Sequence, residues 1–364
     1  MNKRHTTNKT ISLAIPTFKE QANIVPLVQR IGLALKGTDY EVVFIDDDSQ
    51  DGTTELVNEL AQNYPVRIVV RKDKKGLASA VIDGFGYANS DTIGVMDADL
   101  QHPPEIIPYL MKEITEGADI AVASRYIQGG GCPDWGLGRR IISKGAIFLA
   151  RLLLPYTRQV HDPVSGFFLF KRRIISGINL KPTGYKILLE ILVMGKYRKV
   201  TEVPFFFRTR HQGKSKLGVR QQIDYLRHLY SLMKRKGEIL RFLKFCLVGS
   251  SGILVNMGLL WLLTEFTGLF YLLSAVISIE TSIISNFTLN DFLTFRDRRT
   301  RGGRHFLKRL MKFNAISLAS LALNLTALWF LTSVAGIYYL ISNLCGIAIA
   351  LMWNYLVNFW WTWK

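Results

Sequence analysis

The chain has 364 residues, 49% of them hydrophobic, and a formal net charge of +18. This length predicts two or three domains. Many basic residues flank long apolar stretches, so we expect anionic lipid headgroups as partners, and nucleic-acid binding is disfavoured. The three cysteines lie far apart, which disfavours a disulfide framework and a zinc site.

Composition divides the chain into a flexible N-terminus over residues 1–9, an α/β domain over 10–217, an amphipathic linker over 218–240 and a membrane domain over 241–364. The N-terminal residues are polar and basic, without the apolar core of a signal peptide, so we expect the α/β domain to stay in the cytoplasm. The linker has helical periodicity. It can lie in the headgroup layer or pack against the α/β domain as ordinary core.

Strands that alternate with helices predict a doubly wound sheet in the α/β domain. The first three predicted strands cover residues 11–15, 41–45 and 66–70. Pro16 is expected to end the first strand, and three aspartates at 46–48 follow the second, where carboxylates can bind ribose hydroxyls. The basic turn 71–75 follows the third strand and can approach phosphate. No dinucleotide-binding or P-loop glycine motif follows the first strand, which disfavours those classes.

Two carboxylates separated by one residue, Asp97 and Asp99, follow the fourth apolar strand. Ligands of open α/β sheets bind outside the carboxyl ends of the strands, so these acids are candidate metal ligands. Oxygen ligands beside a nucleotide suit Mg²⁺ or Mn²⁺. An isolated Asp-x-Asp is equally typical of a solvated acidic turn, so the motif alone leaves both interpretations open.

Basic clusters follow the acidic motif and favour a substrate rich in phosphate. Three glycines at 129–131 precede Arg139 and Arg140 at a predicted helix start, a pattern typical of a mobile anion-binding loop. A second cluster lies at residues 208–216. Each cluster alone is typical of a solvated loop, but several around an acidic motif indicate a phosphate site.

Four apolar segments are long enough to span a bilayer. They cover residues 242–263, 272–292, 313–334 and 337–360. Their connections alternate between strongly basic and nearly uncharged, which places the basic loops, the α/β domain and both termini in the cytoplasm. Glu280 lies inside a predicted span, where an acid is a functional candidate or pairs with a neighbouring helix.

The membrane domain contains a duplication. Residues recur at a constant offset of 68 positions, as from Lys244 to Lys312 and from Asn256 to Asn324. Each unit holds two spans, so both units enter from the same side, which predicts a parallel repeat about an axis along the membrane normal. The repeated asparagines are expected to hydrogen-bond between helices, with a polar path for a headgroup as the alternative.

The motifs resemble those of known enzymes. They are Pro16-Thr17-x-x-Glu20, Asp46-Asp47-x-Ser49-x-Asp51-Gly52-Thr53, Asp97-Ala98-Asp99-x-Gln101-His102 and Ser124-Arg125-Tyr126. This set resembles the inverting family 2 glycosyltransferases of GT-A fold, and the runs from Gly129 to Ser143, from Asp162 to Phe167 and from Gly213 to Gly218 resemble the dolichol-phosphate mannose synthases. The four spans resemble the GtrA-like membrane domain. Asp48 stands where the family usually has glycine.

The resemblance implies mannose transfer from GDP-mannose to dolichyl or another polyprenyl phosphate, with inversion, at the cytoplasmic face of the cell membrane. It implies Mg²⁺ or Mn²⁺ on Asp97, Asp99 and Gln101. The remaining implied donor contacts are Pro16, Phe18, Glu20, Ile45, Asp47, Ala98, Arg210 and Lys216. Arg125, Arg139 and Ser143 are implied to hold the acceptor phosphate, and Asp99, Arg125 and Arg139 to carry catalysis.

Two alternatives remain open from the sequence. One is a polyprenyl-phosphate glycosyltransferase that uses UDP-glucose or another UDP-sugar. The other gives the membrane domain a flippase activity for the lipid-linked sugar; the few charges in the spans favour an anchor instead. The Gln-x-x-Arg-Trp motif of processive synthases is absent from the sequence, which favours a single transfer.

Overall fold

The computed structural model describes residues 9–73, 76–181, 186–208, 219–300 and 302–364. It divides into two units, residues 1–233 and 234–364. The predicted flexible segment 1–9 lies almost wholly outside the described residues, as does the predicted boundary at 217.

The first unit is an α/β fold, as predicted. Its strands are β1 (Ile11–Thr17), β2 (Tyr40–Asp46), β3 (Val66–Val70), β4 (Thr92–Val95), β5 (Ile120–Ser124), β6 (Phe168–Lys171) and β7 (Val200–Pro204). Its helices are α1 (Gln21–Ala34), α2 (Thr53–Leu60), α3 (Leu77–Tyr87), α4 (Ile107–Thr115), α5 (Leu137–Leu153), α6 (Ile187–Met194) and α7 (Val219–Arg235).

The seven strands form one sheet in the order β3-β2-β1-β4-β6-β5-β7. All neighbours are parallel except β6, which runs antiparallel to both β4 and β5. β1 and β2 are buried along their whole length, because helices cover both faces of the sheet. The carboxyl ends of β1, β2, β4 and β5 therefore share one edge with the start of β6.

The prediction that Pro16 ends the first strand was wrong. β1 continues to Thr17, and Pro16 pairs in register with Ile45. The pairing of β1 with β4 covers only residues 12–14. A residue without an N–H is tolerated at 16 because the strand has lost one of its two neighbours there.

The amphipathic linker helix packs against the first unit. Tyr225, Leu229 and Leu232 of α7 are buried in one cluster with residues of α5 and α6. The Tyr225 hydroxyl donates to the carbonyl of Ala146 at 2.6 Å, and His228 Nε2 lies 3.2 Å from the buried Glu190 carboxylate. The sequence left open whether this helix lies in the headgroup layer or packs as ordinary core, and the inner face of α7 packs as core.

The second unit contains four apolar helices, α8 (Glu238–Thr267), α9 (Tyr271–Leu289), α10 (Gly303–Trp329) and α11 (Tyr339–Val357). Each is long and apolar enough to span a membrane, which confirms the four predicted spans. The last turns of α9 and α11 continue as π-helix over Asn290–Thr294 and Asn358–Thr362. These two segments correspond at the 68-residue offset, so the two repeats share this backbone geometry at the ends of their second helices.

The two repeats pack through an aromatic cluster. Phe295 and Trp363, which are equivalent in the repeat, stack with ring centroids 4.2 Å apart and planes 12° apart. One of the repeated asparagines, Asn256, forms the expected hydrogen bond between helices: the Ser278 hydroxyl on α9 donates to its Oδ1 on α8 at 2.8 Å. Asn314 on α10 donates to the Glu280 carboxylate at 3.2 Å, so this intramembrane acid pairs with a neighbouring helix.

Candidate active site

The acidic turn after β4 is held from both sides. The backbone N–H of Asp97 donates to His102 Nδ1 at 3.0 Å, and the N–H of Gln101 donates to Asp99 Oδ1 at 3.1 Å. Gln101 Nε2 donates to the carbonyl of Arg208 at 3.0 Å. Leu100 adopts a φ of 62°, which bends the chain so that Asp99 and Gln101 follow each other at one end of the strand.

His102 supports this turn as a neutral imidazole. It is buried against Phe167, Phe205 and Phe207, with ring centroids 5.3 to 5.9 Å apart. Burial lowers the pKa of His102 to about 4. The neutral ring keeps Nδ1 as an acceptor for the Asp97 amide, so His102 positions the acids.

The donors of this turn fit a hard divalent cation. They are two carboxylates and the Gln101 amide. The described residues contain no larger group, of three or more His, Cys, Asp or Glu side chains, that could enclose a metal on its own. Mg²⁺ and Mn²⁺ accept such sparse oxygen ligands because water and substrate phosphates complete their coordination. A softer ion would require nitrogen or sulfur ligands.

The predicted nucleotide residues gather at the ends of β1 and β2. Pro16 and Ile45 are register partners, and Glu20 accepts a hydrogen bond from Asn23 at 2.6 Å. Phe18 is 38% exposed at the same edge. Aromatic exposure beside buried polar groups is typical of a base-binding surface.

The three consecutive aspartates after β2 have different surroundings. Asp46 is fully buried and accepts hydrogen bonds from Thr17 and Ser49, which ties the β1 and β2 loops together. Asp47 accepts two hydrogen bonds from Arg71 on one carboxylate oxygen, and Gly76 N–H donates to its other oxygen at 2.7 Å. Asp48 has a φ of 57°, the left-handed conformation that favours glycine, in agreement with the residue usual in the family it resembles.

Arg71 therefore has an internal role in the turn that the sequence associated with phosphate. Its guanidinium also donates to Asp83 at 3.0 Å and to the carbonyl of Gly76 at 3.1 Å. These bonds fix the start of the 71–75 turn, whose Lys74 and Lys75 lie outside the described residues.

A second cluster forms around Arg125 at the end of β5. Its Nε and Nη2 donate to the two oxygens of Asp162 at 2.7 and 2.8 Å. Burial by itself would lower the pKa of Arg125, but the paired Asp162 carboxylate outweighs that effect and raises the pKa. Arg125 is therefore a permanently charged and fixed cation.

Arg139 and Ser143 join this cluster from α5. The Arg139 guanidinium lies 4.1 Å from the Trp135 ring centroid, and Arg125 lies 5.3 Å from the same ring. Ser143 accepts a hydrogen bond from the Tyr126 hydroxyl at 2.8 Å. Two guanidinium groups thus lie against one indole ring, and their combined positive charge suits a bound anion.

The loop before β6 connects the acidic turn with the arginine cluster. Asp162 binds Arg125, while a Cβ on Gly166 would lie 3.4 Å from Asp97 Oδ2 and 3.1 Å from His102. A side chain at 166 would therefore press on the His102 ring, which would have to shift by a few tenths of an ångström. The site therefore places metal-type oxygens and anion-binding cations on two sides of one loop.

Sequence reasoning did not select Lys186, which lies beneath this loop. Its Nζ donates to the carbonyl of Val164 at 2.9 Å. Burial and then the neighbouring Arg125 lower the pKa of Lys186 to about 8. The only feature of the sequence that could have indicated Lys186 is its position directly before an apolar helix, whose residues are nearly all buried. Asp162 and Trp135 belonged to the recognised motifs but were not selected as site residues, while Arg210 and Lys216 lie outside the described residues.

The site and fold together define a class of enzyme. Residues 12–178 match the family model described as "Glycosyl transferase family 2", and residues 244–363 match "GtrA/DPMS, transmembrane domain". The α/β unit is thus a GT-A-like domain, as expected, and the chain is a membrane-integral glycosyltransferase.

Relatives refine this class. A dolichol-phosphate mannosyltransferase of Pyrococcus furiosus is 48% identical over 97% of this chain and 99% of its own length. The enzyme of the same name from Saccharomyces cerevisiae is 38% identical over 61% of this chain and 86% of its own. The chain belongs to the dolichol-phosphate mannosyltransferase family.

Among solved structures, glucosyl-3-phosphoglycerate synthase from Mycobacterium tuberculosis, in complex with Mn²⁺, UDP and glucosyl-3-phosphoglycerate, is similar with a TM-score of 0.48 and 19% identity. The match covers 63% of this chain and 80% of that one.

Proposed function

We propose that this enzyme transfers mannose from GDP-mannose to dolichyl phosphate with inversion, which gives dolichyl β-D-mannosyl phosphate and GDP. The observation that carries the proposal is the pairing of two subsites across one loop. An oxygen-rich turn at Asp97–Asp99 suits a metal-bound diphosphate, and the cations Arg125 and Arg139 suit a second phosphate. A chain 48% identical over nearly its whole length bears the name of this activity.

The donor would lie along the ends of β1, β2 and β4. Guanosine would contact Pro16, Phe18, Glu20, Ile45 and Asp47, with Ala98 beside the ribose and diphosphate. When bound, Mg²⁺ or Mn²⁺ would be held by Asp97, Asp99 and Gln101 and would neutralise charge on the departing GDP. Arg210 and Lys216 are proposed for the same diphosphate by charge-assisted bonds.

The acceptor phosphate would sit among Arg125, Arg139 and Ser143. A phosphate monoester has a second pKa near 6, so it is largely dianionic at pH 7 and needs no general base. The protein's own contribution is to orient this nucleophile and to balance its charge. Arg125 is suited to that task because Asp162 fixes its plane, leaving little freedom to lose when the phosphate binds.

The membrane unit is proposed to anchor the enzyme with the GT-A-like domain and both termini on the cytoplasmic side. Exposed Ile223, Leu226 and Tyr230 on the outer face of α7 would contact the membrane surface. The lipid tail of the acceptor could then stay in the bilayer while its phosphate reaches the arginines.

The test uses the full-length protein in vesicles that contain dolichyl phosphate. Labelled GDP-mannose, GDP-glucose and UDP-glucose are supplied separately with Mg²⁺ or Mn²⁺, and the lipid product is extracted and its anomeric configuration determined. We expect product from GDP-mannose alone, in the β configuration. Preferential transfer from UDP-glucose, or an α-linked product, would overturn the proposal.

A further inference from the structure

The membrane unit contains a polar cleft, and none of its lining residues is among those proposed above for the glycosyl transfer. It has a volume of about 480 Å³ and lies between the start of α8 and the π-helical end of α9. Its polar lining consists of Lys236, Arg241, Lys244, Thr294, Arg296 and Asp297. Four cations face one acid, so the cleft carries an excess of positive charge that suits an anion.

One of these cations is fixed by the protein itself. Arg241 donates to Glu238 at 2.7 Å and to Asp297 at 2.6 Å. Lys244 and Arg296 are exposed and have neither an ion pair nor a hydrogen bond to any residue that the structure describes. The wall of the cleft is therefore rigid at Arg241, whereas Lys244 and Arg296 carry uncompensated charge.

The hydroxyl of Thr294 is a second, independent indication of a ligand. Thr294 is 4% exposed and lines the cleft, yet its Oγ1 has no hydrogen-bond partner among the described residues. In the other repeat the equivalent Thr362 donates to Asn358 Oδ1 at 2.8 Å, whereas in this repeat the corresponding Asn290 Oδ1 is likewise without a partner among the described residues. A buried hydroxyl without a partner costs free energy, and a phosphate oxygen in the cleft could accept a hydrogen bond from it.

The apolar part of the lining indicates what carries the anion. Leu240 and Leu293 line the cleft, and each is 57% exposed. Leu243 and Leu247 continue this exposed surface along α8. α8 and α9 are long and apolar enough to span a membrane, so these exposed side chains suit contact with lipid. Cations next to a lipid-facing surface are typical of headgroup sites between spanning helices.

We propose that this cleft binds the phosphate of a membrane lipid, with Lys244 and Arg296 as its charge partners and the Thr294 hydroxyl as a donor. The lipid would join the start of α8 to the end of α9. This site is built from residues of the membrane unit alone, so it stands independently of the sugar donor and acceptor proposed above.

Native mass spectrometry of the full-length protein tests this site. Phosphatidylglycerol, dolichyl phosphate and neutral phosphatidylcholine are titrated separately into delipidated protein, and the affinity for the first retained lipid is measured. We expect K244Q/R296Q to weaken binding of at least one phosphate lipid by about tenfold or more, with phosphatidylcholine unaffected. The lipid whose binding falls identifies the occupant.

Two matched controls separate a built site from general surface charge. R299Q/R304Q removes the same amount of charge from residues that do not line the cleft, and an equal loss in this variant would overturn the proposal. Thr294→Val removes only the hydroxyl and should weaken binding about threefold, whereas Thr288→Val, in α9 but not in the cleft lining, should not. Unchanged binding in both Thr294→Val and K244Q/R296Q would also overturn it.

Inorganic phosphate provides the last comparison. If the cleft binds the phosphate of a lipid, a millimolar excess of free phosphate should leave the bound lipid in place, because free phosphate cannot make the lipid's apolar contacts with Leu240 and Leu293. Displacement of the lipid by free phosphate would refute the lipid assignment.

Discussion

Replacing Asp162 by Asn tests whether a buried carboxylate fixes Arg125. Asp162 is fully buried, and it accepts both side-chain bonds of Arg125 as well as the Arg125 backbone N–H at 3.2 Å. Asn keeps the shape but removes the charge and one acceptor. Breaking a buried ion pair from one side costs about 3 to 5 kcal/mol, and we expect the lower end because one oxygen remains.

The expected loss is measurable as thermal unfolding of the first unit. For a unit of this size, about 3 kcal/mol corresponds to a decrease in Tm of roughly 6 to 12 °C. The assay is unfolding of the full-length protein in detergent, followed through protease resistance of residues 1–233. Asp134→Asn, an exposed acid near the same cluster, is the matched control and should leave the Tm unchanged.

A double variant separates stability from catalysis. Arg125→Met combined with Asp162→Asn removes the orphaned buried charge, so the Tm should recover part of the loss while transfer stays defective. The reasoning is wrong if Asp162→Asn unfolds at the wild-type temperature. It is also wrong if the double variant is less stable than Asp162→Asn alone.

Three further changes test other parts of the site. Asp99→Ala should abolish turnover, since the metal loses a ligand, and should lower the Tm only by the one hydrogen bond lost from the Gln101 N–H; near-normal rates with Mn²⁺ would refute the assignment. Arg139→Ala should raise the KM for dolichyl phosphate at least tenfold and leave that for GDP-mannose nearly unchanged, with exposed Arg140→Ala as its control; an effect on the donor alone would contradict the role. Burial alone would raise the pKa of Asp119, but bonds from Arg198 N–H and Arg173 lower it overall. Its stabilisation should therefore be complete above about pH 4 and be lost as pH falls further, so the Tm difference between wild type and Asp119→Asn should shrink in acid; a growing difference would exclude this sign.

The sequence predicted the parts of the fold that local pattern determines. Apolar runs that end in acids located β2 and β4, and the apolar segments located the four spans. The repeat offset also had structural content, since it relates the π-helical ends of α9 and α11. These features depend on residues close in sequence or on strict periodicity, which a single sequence records directly.

Which side chains of the site pair with each other could not be predicted in the same way. Asp162 reaches Arg125 because β6 inserts antiparallel between β4 and β5, and a four-residue apolar strand does not reveal its neighbours. The hydrogen-bond partners of Asp46 and Asp47 differ because the two side chains lie on opposite sides of the strand end. Lys186 lacks a motif altogether, and only the packing of α6 places it under the loop.

The stack of Phe295 on Trp363 has a consequence for the origin of the membrane unit. Because the two rings occupy the same position in successive repeats, the contact between repeats is one surface meeting its own copy, as in a twofold dimer. A half-length ancestor with a single helix pair would already have possessed both sides of this interface. The two halves are no longer identical: Asp291, which accepts hydrogen bonds from Arg309 and Trp363, corresponds to a phenylalanine at 359 in the second repeat.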